Sequence, residues 1–200
     1  MLRPRITPCL LVHKGGLVKT IGFKTPKYVG DPINAVKIFN EKEADELIVL
    51  DIDATVNNAE LDYRMIANLA AECRMPLCYG GGIKTPAQAK RIISLGVEKV
   101  AISSAAVEHP ELITQIADEI GRQSVVIVLD VKKRLFSKDY DVFTKNACTN
   151  TKRSVFDLAA EAEKLGAGEL VINSIDLDGA MTGYDLALAE KIRQAVNIPI

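Results

Sequence analysis

Pro76-Leu-Cys-Tyr-Gly-Gly-Gly-Ile-Lys84, followed at once by Thr85-Pro86, reads as a strand, a glycine loop and a helix start in direct succession. The short apolar run after a proline has the length of a buried strand. Three glycines let the backbone turn and come close to a ligand or to another segment. Thr85-Pro86 is an N-cap followed by proline at the first helical position. In an α/β protein such a junction suits a phosphate, because N–H groups at a helix start carry partial positive charge. The plain alternative is a glycine turn that binds nothing.

Outward from this stretch the same alternation repeats, as expected for βα units around a parallel sheet. A strand is expected over residues 5–12 and its helix over 32–42, with a long polar loop between them that carries Gly15, Gly16, Lys19 and Lys24. Further strands follow at 46–51, 99–102, 125–131 and 169–173, with helices at 61–73, 110–120, 155–165 and 185–196. Val125 to Val131 is the most apolar run, of the kind buried on both faces. The polar segment 132–152 after it is long enough to form a lid or hairpin over a site. Pro199-Ile200 begins a seventh strand.

Six units and the start of a seventh predict a (β/α)8 TIM barrel, present here as one domain over residues 1–200 with units seven and eight missing, since a whole barrel needs roughly 250 residues. An internal repeat supports the barrel. Glu46-Leu-Ile-Val-Leu-Asp-Ile-Asp53 matches Glu169-Leu-Val-Ile-Asn-Ser-Ile-Asp176 at a spacing of 123 residues (169 − 46). Joined half-barrels explain such a spacing, whereas a doubly wound open sheet, the second choice, does not.

The chain is 48% hydrophobic with a formal net charge of −1, which places it among ordinary globular chains and gives no electrostatic footprint for nucleic acid. No membrane class fits. Met1-Leu-Arg-Pro-Arg5 leads straight into a short apolar run, so no secretory signal is expected and the expected location is cytoplasmic. Cys9, Cys73, Cys78 and Cys148 lack C-x-x-C spacing, and neither His13 nor His109 has metal-ligand spacing with a cysteine. Packed thiols are expected, with neither a structural metal nor a cofactor.

In a barrel the chemistry sits at the C-terminal ends of the strands. That edge carries Asp51, Asp53, Gly80 to Gly82, Ser103, Ser104, Asp130, Asp176 and Asp178-Gly179. Asp130 ends the most apolar strand, where desolvation would raise its pKa toward values suited to proton transfer. Its alternative employment is a cap or a salt bridge to Lys132 or Lys133. At the opposite edge Arg5, Glu46, Lys99 and Glu169 each start a strand, so four charges of alternating sign ring the bottom. They form either a salt-bridged plug or a gate through the barrel axis.

At these residues the chain resembles the cyclase subunit of imidazole glycerol phosphate synthase and, more distantly, its sister isomerase of histidine biosynthesis. The resemblance runs from Arg5-Ile-Thr-Pro-Cys-Leu through Gly30-Asp-Pro, Gly80-Gly-Gly-Ile, Ser104-Ala-Ala-Val and Asp130 to Leu165-Gly-Ala-Gly-Glu and Gly183-Tyr-Asp. It implies a barrel that docks a glutaminase subunit at its bottom, passes ammonia through a charged gate at Arg5, Glu46, Lys99 and Glu169, and uses it at the top on a substrate with two phosphates. It further implies Asp130 as general acid or base, Lys19 on a mobile first loop, a phosphate site using Gly81, Gly82, Ser103 and Ser104, and substrate contacts from Asp51, Asn173, Asp178 and Gly179. The family's second catalytic aspartate falls on Leu11, which transfers no proton. Asp53, Ser103 and Asn173 also depart from the usual residues, and Asp53 is a candidate for the missing acid. A branch encoded with surface-polysaccharide genes, thought to turn a sugar's acetamido group into an acetamidino group, fits departures that cluster at the top. A non-catalytic glutaminase-binding subunit is the further alternative.

Overall fold

A computed structural model describes residues 4–135, 137 and 139–200. Six parallel strands form its centre: β1 (Cys9–His13), β4 (Leu47–Asp51), β5 (Leu77–Gly80), β6 (Lys99–Ile102), β7 (Val125–Lys133) and β10 (Glu169–Ser174). They pair in the order β1-β4-β5-β6-β7-β10, and β1 and β10 are not hydrogen-bonded to each other. With the crossover helices this is the sheet of a (β/α)8-type barrel, not closed by hydrogen bonds. The helices are α1 (Pro32–Glu41), α2 (Tyr63–Glu72), α3 (Pro86–Ser94), α4 (Ser104–Glu108), α5 (Glu111–Ile120), α6 (Val155–Leu165) and α7 (Leu186–Ala195). No helix among the described residues is long and apolar enough to cross a membrane.

Strand alternation separates two apolar layers. Leu47, Val49, Leu77, Tyr79, Val100, Ile102, Val125, Ile127 and Leu129 point outward into one large core, where they meet Ile66 and Leu69 of α2, Ile92 of α3 and Ile116 of α5. Fully burying each such side chain contributes about 1.5–3 kcal/mol, which is what fastens the helices to the sheet. The alternate residues Ile48, Cys78, Ala101, Val126 and Val128 form a second, smaller cluster inside the curve of the sheet, with Leu50 and Val171 against it.

The 123-residue repeat is visible in three dimensions. Helix α7 is α2 displaced by 123 residues (186 − 63), and each is capped by an aspartate: Asp62 Oδ1 accepts from Met65 N at 2.9 Å and Asp185 Oδ1 from Leu188 N at 3.0 Å. Below them Leu47 N donates to Pro76 O and Leu170 N to Pro199 O, both at 2.9 Å. Pro199 therefore stands where the carbonyl before a next strand would stand, although residues 199–200 are not assigned as strand.

Three expectations need correcting. The first strand begins at Cys9 rather than residue 5, because Pro8 has no N–H to give a ladder. The loop after it is a hairpin, β2 (Gly16–Ile21) and β3 (Lys24–Gly30), turning at Gly22 with φ +58°. Helix α4 was not expected, since five residues are too few for periodicity to show. The lid-or-hairpin expectation for 132–152 holds: β8 (Tyr140–Thr144) pairs antiparallel with the upper end of β7 and with β9 (Thr149–Ser154).

Candidate active site

A cavity of about 740 Å³ occupies the inside of the sheet and opens at the C-terminal ends of the strands. Its wall includes Cys9 and Leu11 of β1, Leu50 and Asp51 of β4, Ala101 of β6, Val128 and Asp130 of β7, and Val171 and Asn173 of β10. Apart from Asp51, which directly follows Leu50, these are alternate residues on the inward face, and Glu46, Lys99 and Glu169 lie further down the same rows of β4, β6 and β10.

At the lower end of those rows, Arg5 reaches both Glu46 and Glu169, and Lys99 Nζ lies 2.8 Å from Glu46 and 2.7 Å from Glu169. The four charges named from the sequence thus form one closed ring. Glu46 is 4% exposed. Burial pulls the Lys99 ammonium down, but its two carboxylates outweigh that and hold its pKa above the ordinary lysine value.

At the upper end Asp130 is buried in the most apolar strand, flanked in register by Asn173 of β10 and Phe143 of β8. Burial pushes its carboxyl up to about 7, partly offset by a 3.2 Å hydrogen bond from Asn173 Nδ2. The salt-bridge alternative does not hold, because Lys132 points instead to Asp176, 3.9 Å away. A carboxyl near 7 exchanges protons in both directions at neutral pH. Cys9 is exposed on the same cavity wall, contrary to the expectation of a packed thiol, and the low-dielectric surroundings inside the sheet together with the Asp130 charge push its thiol up to about 12, so it stays protonated.

The glycine stretch lies where expected but for a more specific reason. Gly81 has φ +104°, and a Cβ there would come within 2.1 Å of the Asp51 carbonyl oxygen, so only glycine lets the end of β5 pass the end of β4. Gly81, Gly82, Ser103 and Ser104 all line the cavity. Ser103 makes no capping bond, and Ser104 Oγ accepts from Lys145 N at 3.0 Å. The start of α3 is closed by its own capping box: Gln88 N donates to Thr85 Oγ1, and Gln88 Oε1 takes the N–H groups of Lys84 and Thr85. Those donors are therefore spent locally, which leaves the glycine backbone and the two serines as the polar part of the cavity wall here.

The remaining candidates divide. Asp51 lines the cavity, its Oδ1 accepting from the N–H groups of Asp53 and Ala54; burial raises its pKa against those two bonds. Asp53 does not line it: Oδ1 is 2.7 Å from His13 Nδ1 and Oδ2 accepts from Lys14 N at 2.7 Å, which ties the loop after β4 to the end of β1. Asp176 holds the other half alike, accepting from Lys133 N at 3.1 Å. Lys19 is exposed on β2, facing Lys27 across the hairpin and outside the cavity wall. Asp178 lines the cavity, and its Oδ2 accepts from Thr20 Oγ1 at 2.7 Å and Phe23 N at 2.9 Å, latching the first hairpin over the opening. Gly179 is not on the wall; a Cβ there would lie 2.2 Å from the Thr20 carbonyl oxygen, so it serves the latch.

Sequence reasoning missed Thr20, Phe23, Thr55 and Asn146. Thr55 Oγ1 accepts from Gly82 N at 3.3 Å, and Asn146 Nδ2 donates to Ile52 O at 2.7 Å across 94 residues. None stands at a strand end or in a motif, so no local signal marked them.

Residues 5–200 match the family model described as histidine biosynthesis protein. A Vibrio vulnificus (strain YJ016) protein provisionally named imidazole glycerol phosphate synthase subunit hisF3 is 56% identical over 200 residues, which is all of this chain and 77% of that protein. A Leptospira borgpetersenii protein, provisionally named as the HisF subunit, is 54% identical over the whole chain and 79% of its own length. The imidazole glycerol phosphate synthase subunit HisF of Lactococcus lactis subsp. lactis (strain IL1403) is 43% identical, again over the whole chain and 77% of that protein.

Proposed function

Since the chain belongs to the histidine biosynthesis protein family, we propose that it is a cyclase-type subunit of the imidazole glycerol phosphate synthase kind, receiving ammonia from a glutaminase subunit docked beneath the charged ring. The observation that carries this reading is the inward face of the sheet, which has the ring of Arg5, Glu46, Lys99 and Glu169 at its foot, Asp130 with Asn173 at its head, and the packed apolar layer of Ile48, Cys78, Ala101, Val126 and Val128 between. Neutral ammonia crosses apolar surface at little cost, whereas ammonium would lose its hydration there. Opening needs only a shift of the Arg5 or Lys99 side chain, since each is a long stem holding two carboxylates. At the head, the cradle of Gly81, Gly82, Ser103 and Ser104 holds a phosphoryl group, Asp51 and Asn173 orient the substrate, and Asp130 moves the proton. Asp178 acts through the hairpin it latches.

Leu11 gives a specific reason for a second reading. It lines the cavity on β1 where a partner carboxylate would complete a two-carboxylate pair, and the nearby Asp53 is bound to His13 and Lys14 instead. With one proton carrier, the chain uses its ammonia on a different acceptor, a sugar acetamido group in the surface-polysaccharide branch; without any acceptor it serves only to bind the glutaminase. The deciding experiment is turnover of the two-phosphate imidazole precursor at saturating ammonium, comparing the natural chain with Leu11→Asp. Turnover by the natural chain supports the first reading. Turnover only with Leu11→Asp, expected to gain about 10²–10⁴-fold, moves the acceptor elsewhere. Turnover by neither, with no glutaminase bound, sinks both.

A further inference from the structure

The cavity does not end at the glycine and serine cradle. Its wall continues outward between the third and fourth units, with Ile83 and Lys84 on one side and Ala105, His109 and Leu112 on the other. Ile83 and Leu112 are buried, so the floor of this outer cleft is apolar. The turn between β8 and β9 roofs it: Lys145 N–H donates to Ser104 Oγ at 3.0 Å, Lys145 Nζ pairs with Glu108 at 3.0 Å, and Asn146 bonds the Ile52 carbonyl. That turn holds Lys145, Asn146 and Ala147 all at positive φ, 54°, 53° and 61°. Non-glycine residues in this region cost on the order of 1–3 kcal/mol each and persist only where surrounding contacts impose them. Nothing in the proton or ammonia chemistry above calls for a strained roof here.

Lys84 supplies the charge. Its ammonium is bonded to the Asn58 side-chain oxygen and enters none of the ion pairs among the described residues, while Lys145 and His109 each have a glutamate partner. A phosphate monoester would end at the cradle and leave the outer cleft unused. A diphosphate diester would fill it, with its inner group reaching toward Asp130, its second phosphoryl near Lys84 and its outer group over Ala105 and Leu112.

We propose that this outer cleft is a second ligand subsite, and that the natural substrate passes through the cradle as a diphosphate-linked compound instead of ending there as a monoester. The inference rests on the cradle binding phosphate, as proposed above, and accords with the altered acceptor that Leu11 indicates. Calorimetric titration of the full chain with inorganic phosphate, ribose 5-phosphate and ADP-ribose tests it, because the last two differ only by the outer diphosphate-linked group. ADP-ribose should bind about tenfold tighter than ribose 5-phosphate, the return on one charge-assisted contact. Ala105→Trp, which fills the cleft, should abolish that gain and spare ribose 5-phosphate; Lys84→Glu, an exposed change with little bearing on folding, should do the same. Equal affinity for the two esters overturns the subsite, as does a Lys84→Glu variant that keeps the full gain. Failure of all three ligands to bind removes the cradle reading itself, and the inference with it.

Discussion

Asp130→Asn offers the sharpest test of the site, because it keeps the shape of the side chain and removes its charge. The native carboxyl is pushed from 3.8 to about 7, chiefly by burial. An acid raised on folding binds its proton more tightly in the folded state. Its unfavourable contribution is therefore absent below about pH 4, grows between about 4 and 7, and is complete above that. A shift of about three units at 1.36 kcal/mol each sets an upper limit of about 4 kcal/mol. Asparagine carries no such penalty and can still meet Asn173 through its amide. The variant should match the natural chain in urea unfolding at pH 3 and exceed it by up to about 4 kcal/mol at pH 8, or roughly 10 °C in Tm for a chain of this length. Asp51 is also raised, but it is common to both chains and cancels. A variant equally destabilised at every pH, or a difference that opens only below pH 4, would refute the desolvated carboxyl and with it the argument for Asp130 as the proton carrier.

Three further outcomes are expected. Glu46→Gln leaves Lys99 short of one partner in a buried ring and should cost about 3 kcal/mol in chemical unfolding, whereas Arg5→Ala, at a more exposed and solvent-screened corner, should cost about 1 kcal/mol or less. Among the described residues Tyr79 Oη is buried with no hydrogen-bond partner, so Tyr79→Phe should raise stability by about 1 kcal/mol in the same assay; a loss would show that the hydroxyl is satisfied in solution. Gly179→Ala forces a Cβ onto the Thr20 carbonyl at φ +68° and should free the first hairpin, speeding tryptic cleavage at Lys19, Lys24 and Lys27 by about tenfold per 1.4 kcal/mol lost from the latch. Unchanged cleavage would remove Asp178 and Gly179 from any role in holding that hairpin.

What could be read from sequence was whatever depends on neighbours along the chain. Alternation placed Glu46, Ile48 and Leu50 on one face of β4 and Leu47 and Val49 on the other, because side chains in a strand alternate whatever surrounds them. The four strand-start charges fell into one ring because parallel strands in near register bring equivalent positions together, whereas Asp62 and Asp185, expected inside their helices, emerged as caps only in the structure. The 123-residue repeat also survived folding, down to matching hydrogen bonds beneath β4 and β10.

Tertiary structure decided which of several equivalent-looking carboxylates meet the cavity. Asp51 and Asp53 stand two apart at one strand end, yet one lines the wall and the other clasps His13 and Lys14. Asp178 was expected beside a substrate; the structure shows it on the cavity wall, anchoring a hairpin through Thr20, 158 residues earlier. Asn146 and Lys145 enter only because β8 and β9 fold back over the opening. These assignments turn on a few ångströms between segments that only the assembled sheet brings together. Desolvation, the term that raises Asp130, is likewise set by every atom packed around it, so the pattern of residues names the acid and the fold gives it its proton affinity.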